Sequence, residues 1–159
     1  MSNYTDFIIQ ETVKLLNIDS PTGYTDDAAE FVLTELRALG YAPTKTRKGG
    51  VLVDLGGADA ENGVMLETHL DTLGGMVAEI KSNGRLRLTN IGGMNANNAE
   101  AENVRVVTKF DGKYEGTLQL TDASIHVNGD YSTTARAWEK MEVVLDENVS
   151  SADDVRALG

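Results

Sequence analysis

The chain has 159 residues, 41% of them hydrophobic, enough for one ordinary domain or two small ones. Its 25 acidic and 14 basic residues give a net charge of −11, which argues against a phosphate-backbone partner, since nucleic-acid binding rests on Lys and Arg. Zero cysteines exclude disulfides, zinc ribbons and thiol catalysis and fit a reducing compartment.

No apolar run approaches the length of a membrane span, and the first residues lack the basic and apolar regions of a signal peptide. A cytoplasmic protein with neither a membrane nor a nucleic-acid partner is expected.

In chain order, Ile9, Val13 and Leu16, with Ile8 and Leu15 beside them, predict an amphipathic helix over 4–16. Pro and Gly then punctuate the stretch Ser20-Pro21-Thr22-Gly23. A second helix is expected over 26–39. Thr25 is a candidate N-cap, Asp26 and Asp27 suit the positive helix end, and Gly40 suits a stop. Its core face would be Ala28, Val32, Leu36 and Leu39, with Phe31 alongside. An exposed strand over 42–47, a turn at Gly49-Gly50, a strand over 51–55 and a polar loop over 56–63 follow.

The stretch 64–75 organises the rest. Val64, Met65 and Leu66 predict a buried strand that leads into His69 and Asp71 and breaks at Gly74-Gly75. In an extended segment, positions i and i+2 point to the same side. His69 and Asp71 would then stand too far apart to grip one ion comfortably. They are near enough for one to bind metal while the other organises it from behind, fixing the imidazole tautomer. A hydrogen-bonded His and Asp at a strand end, with no metal role, satisfies the same three-residue pattern. Glu67 alternates to the same face and serves equally well as a structural residue.

Beyond Gly75 the texture changes. Asn83-Gly84 between 76–80 and 85–89 signals a hairpin, and Phe110-Asp111-Gly112 between 104–108 and 113–120 signals a second. Further short strands are expected over 124–127 and 141–145, and together these suggest a small barrel or sandwich. Ser151 with Asp154 reads as a capping box opening a short final helix. The first part has an α/β pattern with about three strands, a small sheet for that class.

Several motifs stand in order: Thr-His-Leu-Asp-Thr-Leu-Gly-Gly-Met-Val at 68–77, Ile-Lys-Ser-Asn-Gly-Arg-Leu at 80–86, Ile-Gly-Gly at 91–93 and Ala-Ser-Ile-His-Val at 123–127. With the loop at 20–23, they resemble the M42 family of metallo-aminopeptidases over essentially the whole chain. The resemblance implies an α/β zinc-peptidase-type catalytic domain interrupted by an inserted PDZ-like β-barrel domain that helps build dimers and cage-like homo-oligomers. Residues 1–73 would be the first catalytic segment, 74–149 the insertion, and 150–159 a short helix leading back to a second catalytic segment.

The same resemblance implies hydrolysis of peptides from their N-termini by two divalent ions, zinc or cobalt, with a Glu general base. His69 matches the first metal-binding His and Asp71 the Asp that orients it. His126 falls in a family-like segment without a metal role. The bridging Asp, the Glu pair, the further carboxylate and the last His belong to the second catalytic segment, and the sequence ends at Gly159 before it. Glu100 and Glu102 match no ligand motif. The expectation is an N-terminal part of an aminopeptidase, inactive alone. Its alternatives are a non-catalytic oligomerisation module with a vestigial metal site, and a small metal protein completing its site across a symmetric interface.

Overall fold

A computed structural model describes residues 3–59 and 61–159; Ala60, inside the expected loop at 56–63, lies outside the described residues. The fold is α/β, and the chain divides into two compact units, Met1–Leu73 and Gly74–Gly159.

In the first unit, helix α1 spans Asn3–Leu16 and α2 spans Asp26–Ala38. Both carry acidic residues in the first turn and a basic residue in the last, as the helix dipole favours. Gly40 (φ 90) ends α2 in a Schellman arrangement: its N–H donates to Arg37 O at 2.9 Å, and the Tyr41 N–H donates to Leu36 O at 3.0 Å. Thr25 occupies the N-cap but its side chain makes no capping bond. The buried face is Ala28, Ala29 and Leu33, and Leu39, expected in the core, is mostly exposed. The stripe expected on α1 is likewise uncovered, with Ile8, Ile9, Val13 and Leu16 all exposed. Periodicity marks an apolar face; burying it takes a partner, which the first unit does not supply among the described residues.

Strands β1 (Thr44–Lys45) and β2 (Val51–Leu52) form a two-residue antiparallel ladder, shorter than the 42–47 and 51–55 expected. Thr46 and Gly50 close the turn between them. The buried strand expected from Val64 does not form. Val64, Met65 and Leu66 are 86%, 78% and 85% exposed, and among the described residues no backbone–backbone hydrogen bond involves 64–69. Apolar character favours a strand only where a neighbour supplies the ladder.

In the second unit, β3 (Gly74–Ile80), β4 (Leu86–Ile91), β5 (Asn103–Val107), β6 (Lys113–Leu120) and β7 (Met141–Leu145) make one antiparallel sheet in the order β3-β4-β7-β6-β5. Alternation puts Leu86 and Leu88, Leu118 and Leu120, and Met141, Val143 and Leu145 into a core joined by Ala96, Ala99 and Val155. Both hairpins form where expected. In the first, only Gly84 takes a positive φ (79), and the Gly84 N–H donates to Lys81 O at 2.9 Å. Residues 124–127, expected as a strand, fold instead into turns. The Ser124 carbonyl accepts from Val127 and Asn128, and its hydroxyl accepts from the His126 N–H at 3.2 Å. Serine offers the backbone a local alternative to a ladder, and here that alternative wins.

Helix α3 (Ala152–Arg156) opens with a complete Ser151–Asp154 capping box. It belongs to the second unit: Val155 enters the core, and the Tyr114 hydroxyl donates to Leu158 O at 3.0 Å. Among the described residues no helix is long and apolar enough to cross a membrane.

Candidate functional site

The loop between α1 and α2 holds the His-x-Asp segment. Ser20, only 2% exposed, accepts the Thr72 N–H at its carbonyl (2.8 Å) and donates its hydroxyl to Leu70 O (3.1 Å). Pro21 and Thr72 form a parallel bridge. Pro cannot donate to a ladder, so this contact stays a single bridge and Ser20 supplies the bonds around it. One residue further, the Thr22 hydroxyl donates to Asp71 Oδ2 at 2.6 Å. The backbone on both sides of Asp71 and its carboxylate are therefore fixed by three consecutive loop residues. Sequence reasoning passed over Ser20 and Thr22 as ligands of this segment. Their signal in the sequence is their place in a Pro- and Gly-marked loop that shares in the family resemblance, and it does not point to Asp71.

The His69 ring lies against Asp71. Its Nδ1 is 2.9 Å from the Asp71 backbone oxygen and 3.3 Å from Asp71 Oδ1. Both neighbours are acceptors only, so Nδ1 must carry a proton, and in the neutral ring Nε2 holds the lone pair. The side chain is 82% exposed, which leaves Nε2 open. The Asp71 carboxyl is held below the usual aspartate range, chiefly by the Thr22 hydrogen bond. Partial desolvation opposes this, and the nearby His69 charge adds to it.

This arrangement fits one position of a metal site. A catalytic zinc normally keeps three protein ligands. Among the described residues no group of three or more His, Cys, Asp or Glu side chains converges to hold an ion. Glu67 is exposed in irregular backbone and forms no such cluster with His69.

The acidic residues of the second unit have other tasks. Glu100 takes two bonds from Arg136, to Nε at 2.8 Å and Nη2 at 3.2 Å, and one from the Tyr131 hydroxyl. Arg136 stacks on the Tyr131 ring and donates to the carbonyls of Tyr131 and Thr134. That network fastens the irregular segment 121–137 to the 3-10 turn at Ala96–Asn98 and its flank. The His126 side chain is exposed on a turn. Glu142, fully buried on β7, receives Lys81 Nζ at 2.6 Å and also Arg85 Nη1. Nothing in the sequence pattern distinguished it.

With this geometry in place, the family can be stated: the chain belongs to the M42 glutamyl aminopeptidases, whose family pattern matches residues 49–159. It is similar to "Putative aminopeptidase YhfE" of Bacillus subtilis, at 37% identity over 146 residues, which is 92% of this chain and 42% of that protein. In structure it resembles aminopeptidase APDkam598 of the archaeon Desulfurococcus kamchatkensis, with a TM-score of 0.84 and 21% identity over 99% of this chain and 41% of that one. The Pyrococcus horikoshii TET1 peptidase gives a TM-score of 0.80 at 20% identity, covering 95% of this chain and 43% of that one. The chain therefore spans less than half the length of these relatives. At such identities the two structures speak for the fold.

Proposed function

We propose that the chain is the N-terminal part of a dinuclear-metal aminopeptidase that removes N-terminal residues from peptides. In this reading His69 is one metal ligand, through Nε2, and Asp71 orients it. The observation that carries it is the double acceptor contact at Nδ1, which leaves Nε2 as the basic nitrogen. Two divalent ions, zinc or cobalt, would lower the pKa of a bound water and polarise the scissile carbonyl. His69 fixes one ligand position, Asp71 sets its tautomer, and Thr22 and Ser20 hold Asp71 in place.

By itself the chain is inactive in this reading, because one ligand falls short of a catalytic set. Residues 74–149 act as the inserted PDZ-like domain that pairs subunits, and 150–159 lead on from it. A homo-oligomer is supported by the Pyrococcus horikoshii relative, which can assemble into a tetrahedron or a large octahedral shell. The setting is cytoplasmic on the compositional grounds given above.

The test is a titration of the purified, metal-stripped chain with zinc and then cobalt, beside His69→Ala, with a peptide turnover assay. Weak binding that His69→Ala removes, and no turnover, are expected. Binding that His69→Ala leaves unchanged overturns the ligand assignment. Metal-dependent release of N-terminal residues by the chain alone overturns its inactivity. A non-catalytic oligomerisation module is the second reading, favoured by the separate core of the second unit; a monodisperse oligomer without metal affinity would bear it out.

A further inference from the structure

The sequence carries three Asn-Gly pairs, Asn62-Gly63, Asn83-Gly84 and Asn128-Gly129. Such a pair has a chemistry of its own, because glycine has no side chain to keep its backbone nitrogen off the preceding side-chain amide. The nitrogen reaches Asn Cγ only where it is open to solvent and the side chain is free to turn toward it. The fold treats the three pairs differently.

Asn83-Gly84 is closed on both counts. The Gly84 N–H donates to Lys81 O at 2.9 Å, and Asn83 Oδ1 accepts the Arg85 N–H at 3.1 Å. Gly84 is buried, and a Cβ on it would lie 3.3 Å from the Ser151 backbone. At Asn128 the side chain is held at both ends. Its Oδ1 accepts the Asp130 N–H at 3.1 Å, and its Nδ2 donates to Asp122 O and Thr134 Oγ1 at 3.2 and 3.4 Å. A bond from Oδ1 to the amide two residues on keeps the side chain occupied with its own turn. Asn62-Gly63 has neither lock. Both residues are exposed, and among the described residues the Gly63 N–H makes no hydrogen bond. A Cβ on Gly63 would meet nothing within 4 Å. Asn62 is tethered only through its nitrogens, the Nδ2 donating to Asp59 Oδ2 at 2.8 Å and the backbone N–H to Oδ1 at 3.3 Å.

We infer that Asn62-Gly63 is a self-modification site, at which the chain deamidates through a succinimide while the turns around Asn83 and Asn128 hold those pairs back. The Gly63 nitrogen loses its proton and bonds to Asn62 Cγ. The Cγ–Nδ2 bond breaks, and Nδ2 leaves as ammonia with that proton. Water then opens the ring. Breaking the new bond to Cγ gives aspartate, whereas breaking the bond to the backbone carbonyl carbon gives isoaspartate and lengthens the main chain by one carbon. Either product adds negative charge to a chain already at −11 and sets a second carboxylate against Asp59 in place of a donor. The Asp59 carboxyl is held low chiefly by the Asn62 side chain, so its midpoint should rise in the product. The loop that leads into 64–71 thereby loses a contact that closes it.

The test incubates the intact 159-residue chain at mildly alkaline pH and follows each pair by peptide mapping, with electron-transfer fragmentation to separate isoaspartate from aspartate. In the folded chain Asn62 should convert at least about 10-fold faster than Asn128 or Asn83. In urea the three rates should draw together, since the locks are gone. Gly63→Val crowds the attacking nitrogen at an open position, so it should suppress conversion and leave the melting temperature unchanged. Asn62→Gln, which would have to close a larger ring, should suppress it as well. Asn83 or Asn128 keeping pace with Asn62 in the folded chain overturns the inference, and so does a spread of rates that persists in urea. Undiminished conversion in Gly63→Val, or aspartate without isoaspartate at position 62, would rule out the succinimide. An Asp59 midpoint that stays put in the aged chain would rule out the effect on the loop.

Discussion

The Thr22 hydroxyl donates to Asp71 Oδ2 at 2.6 Å, joining residues 49 positions apart in sequence. This bond is the leading cause of the low Asp71 pKa. Thr22→Val keeps the side-chain shape and removes the donor, so the Asp71 midpoint should rise toward the ordinary 3.8. A carboxyl titration followed by carbon-13 NMR reads it directly. The stability consequence has a definite sign. A folded-state pKa below the unfolded value contributes stability that is present above the unfolded pKa and lost as pH falls through the folded one. The gap between wild type and Thr22→Val should therefore be flat near neutrality and shrink below about pH 4. A gap that does not change on acidification would show that the carboxylate charge is not what the hydroxyl stabilises.

The His69 ring offers a sharper test of the site, because its tautomer follows from its neighbours alone. With the Asp71 carbonyl and carboxylate both beside Nδ1, the neutral ring should be the Nδ1–H form. Long-range nitrogen-15 spectra above the histidine titration should show a protonated Nδ1 and a bare Nε2. Asp71→Ala removes the carboxylate and leaves the backbone carbonyl, so the Nδ1–H form should persist at a lower population. A dominant Nε2–H form in the wild-type chain would mean that Nε2 is not prepared for metal.

How far the sequence could be read depends on whether the signal was local. Helix α1, the hairpin at Asn83-Gly84 and the Ser151–Asp154 box rest on residues a few positions apart, and each stands where periodicity or turn chemistry puts it. The segment 64–69 was misread because a strand depends on its neighbours. The stripe on α1 stands where periodicity puts it, and its exposure shows that periodicity marks an apolar face without saying what covers it. At the site, His69 and Asp71 were legible as a three-residue motif. Thr22 and Ser20 were not, since a bond across some 50 residues leaves no local pattern. Glu142 was hidden for a related reason: an acidic residue in an otherwise apolar strand reads as solvent-facing until Lys81 and Arg85 come to it.

That buried carboxylate carries its own prediction. Glu142 is fully buried while Lys81 and Arg85 remain partly exposed, with side chains 28% and 37% accessible. Removing one partner of a buried ion pair typically costs about 3–5 kcal/mol. Because the two cations can turn to water, Glu142→Ala should lie near the bottom of that range, at about 3 kcal/mol by urea unfolding. Replacing the whole trio, with Glu142→Leu, Lys81→Met and Arg85→Met, should restore most of the loss. A single mutant that unfolds within about 0.5 kcal/mol of wild type would mean that the trio contributes little.

A second pH-sensitive contact lies in the other unit and should behave independently of Asp71. The Glu100 carboxyl is held low chiefly by its bonds from Arg136. Glu100→Gln should free the segment 121–137, seen as faster amide exchange at Tyr131 and its neighbours at neutral pH. In the wild-type chain the same loosening should set in on acidification, as pH falls below the unfolded glutamate value and through the depressed folded one. Unchanged exchange in Glu100→Gln would mean that backbone turns alone hold the segment.

Strand β6 leaves no room for a side chain at Gly116. A Cβ on Gly116 would lie 2.5 Å from the Val144 carbonyl oxygen and 3.0 Å from Val143 Cγ1. Gly116 sits on β6 opposite Leu145, and its neighbours Leu118 and Leu120 fill the core. The backbone oxygen cannot rotate aside as a side chain could, so β6 and β7 would have to separate. Gly116→Ala should therefore destabilise the chain by about 2 kcal/mol or more, as overpacking in a well-filled interior does. The loss should appear as a lower urea midpoint and as faster exchange at the β6–β7 amides, with the Thr22–Asp71 titration unaffected. An unchanged midpoint would mean that the two strands can part without cost at this position.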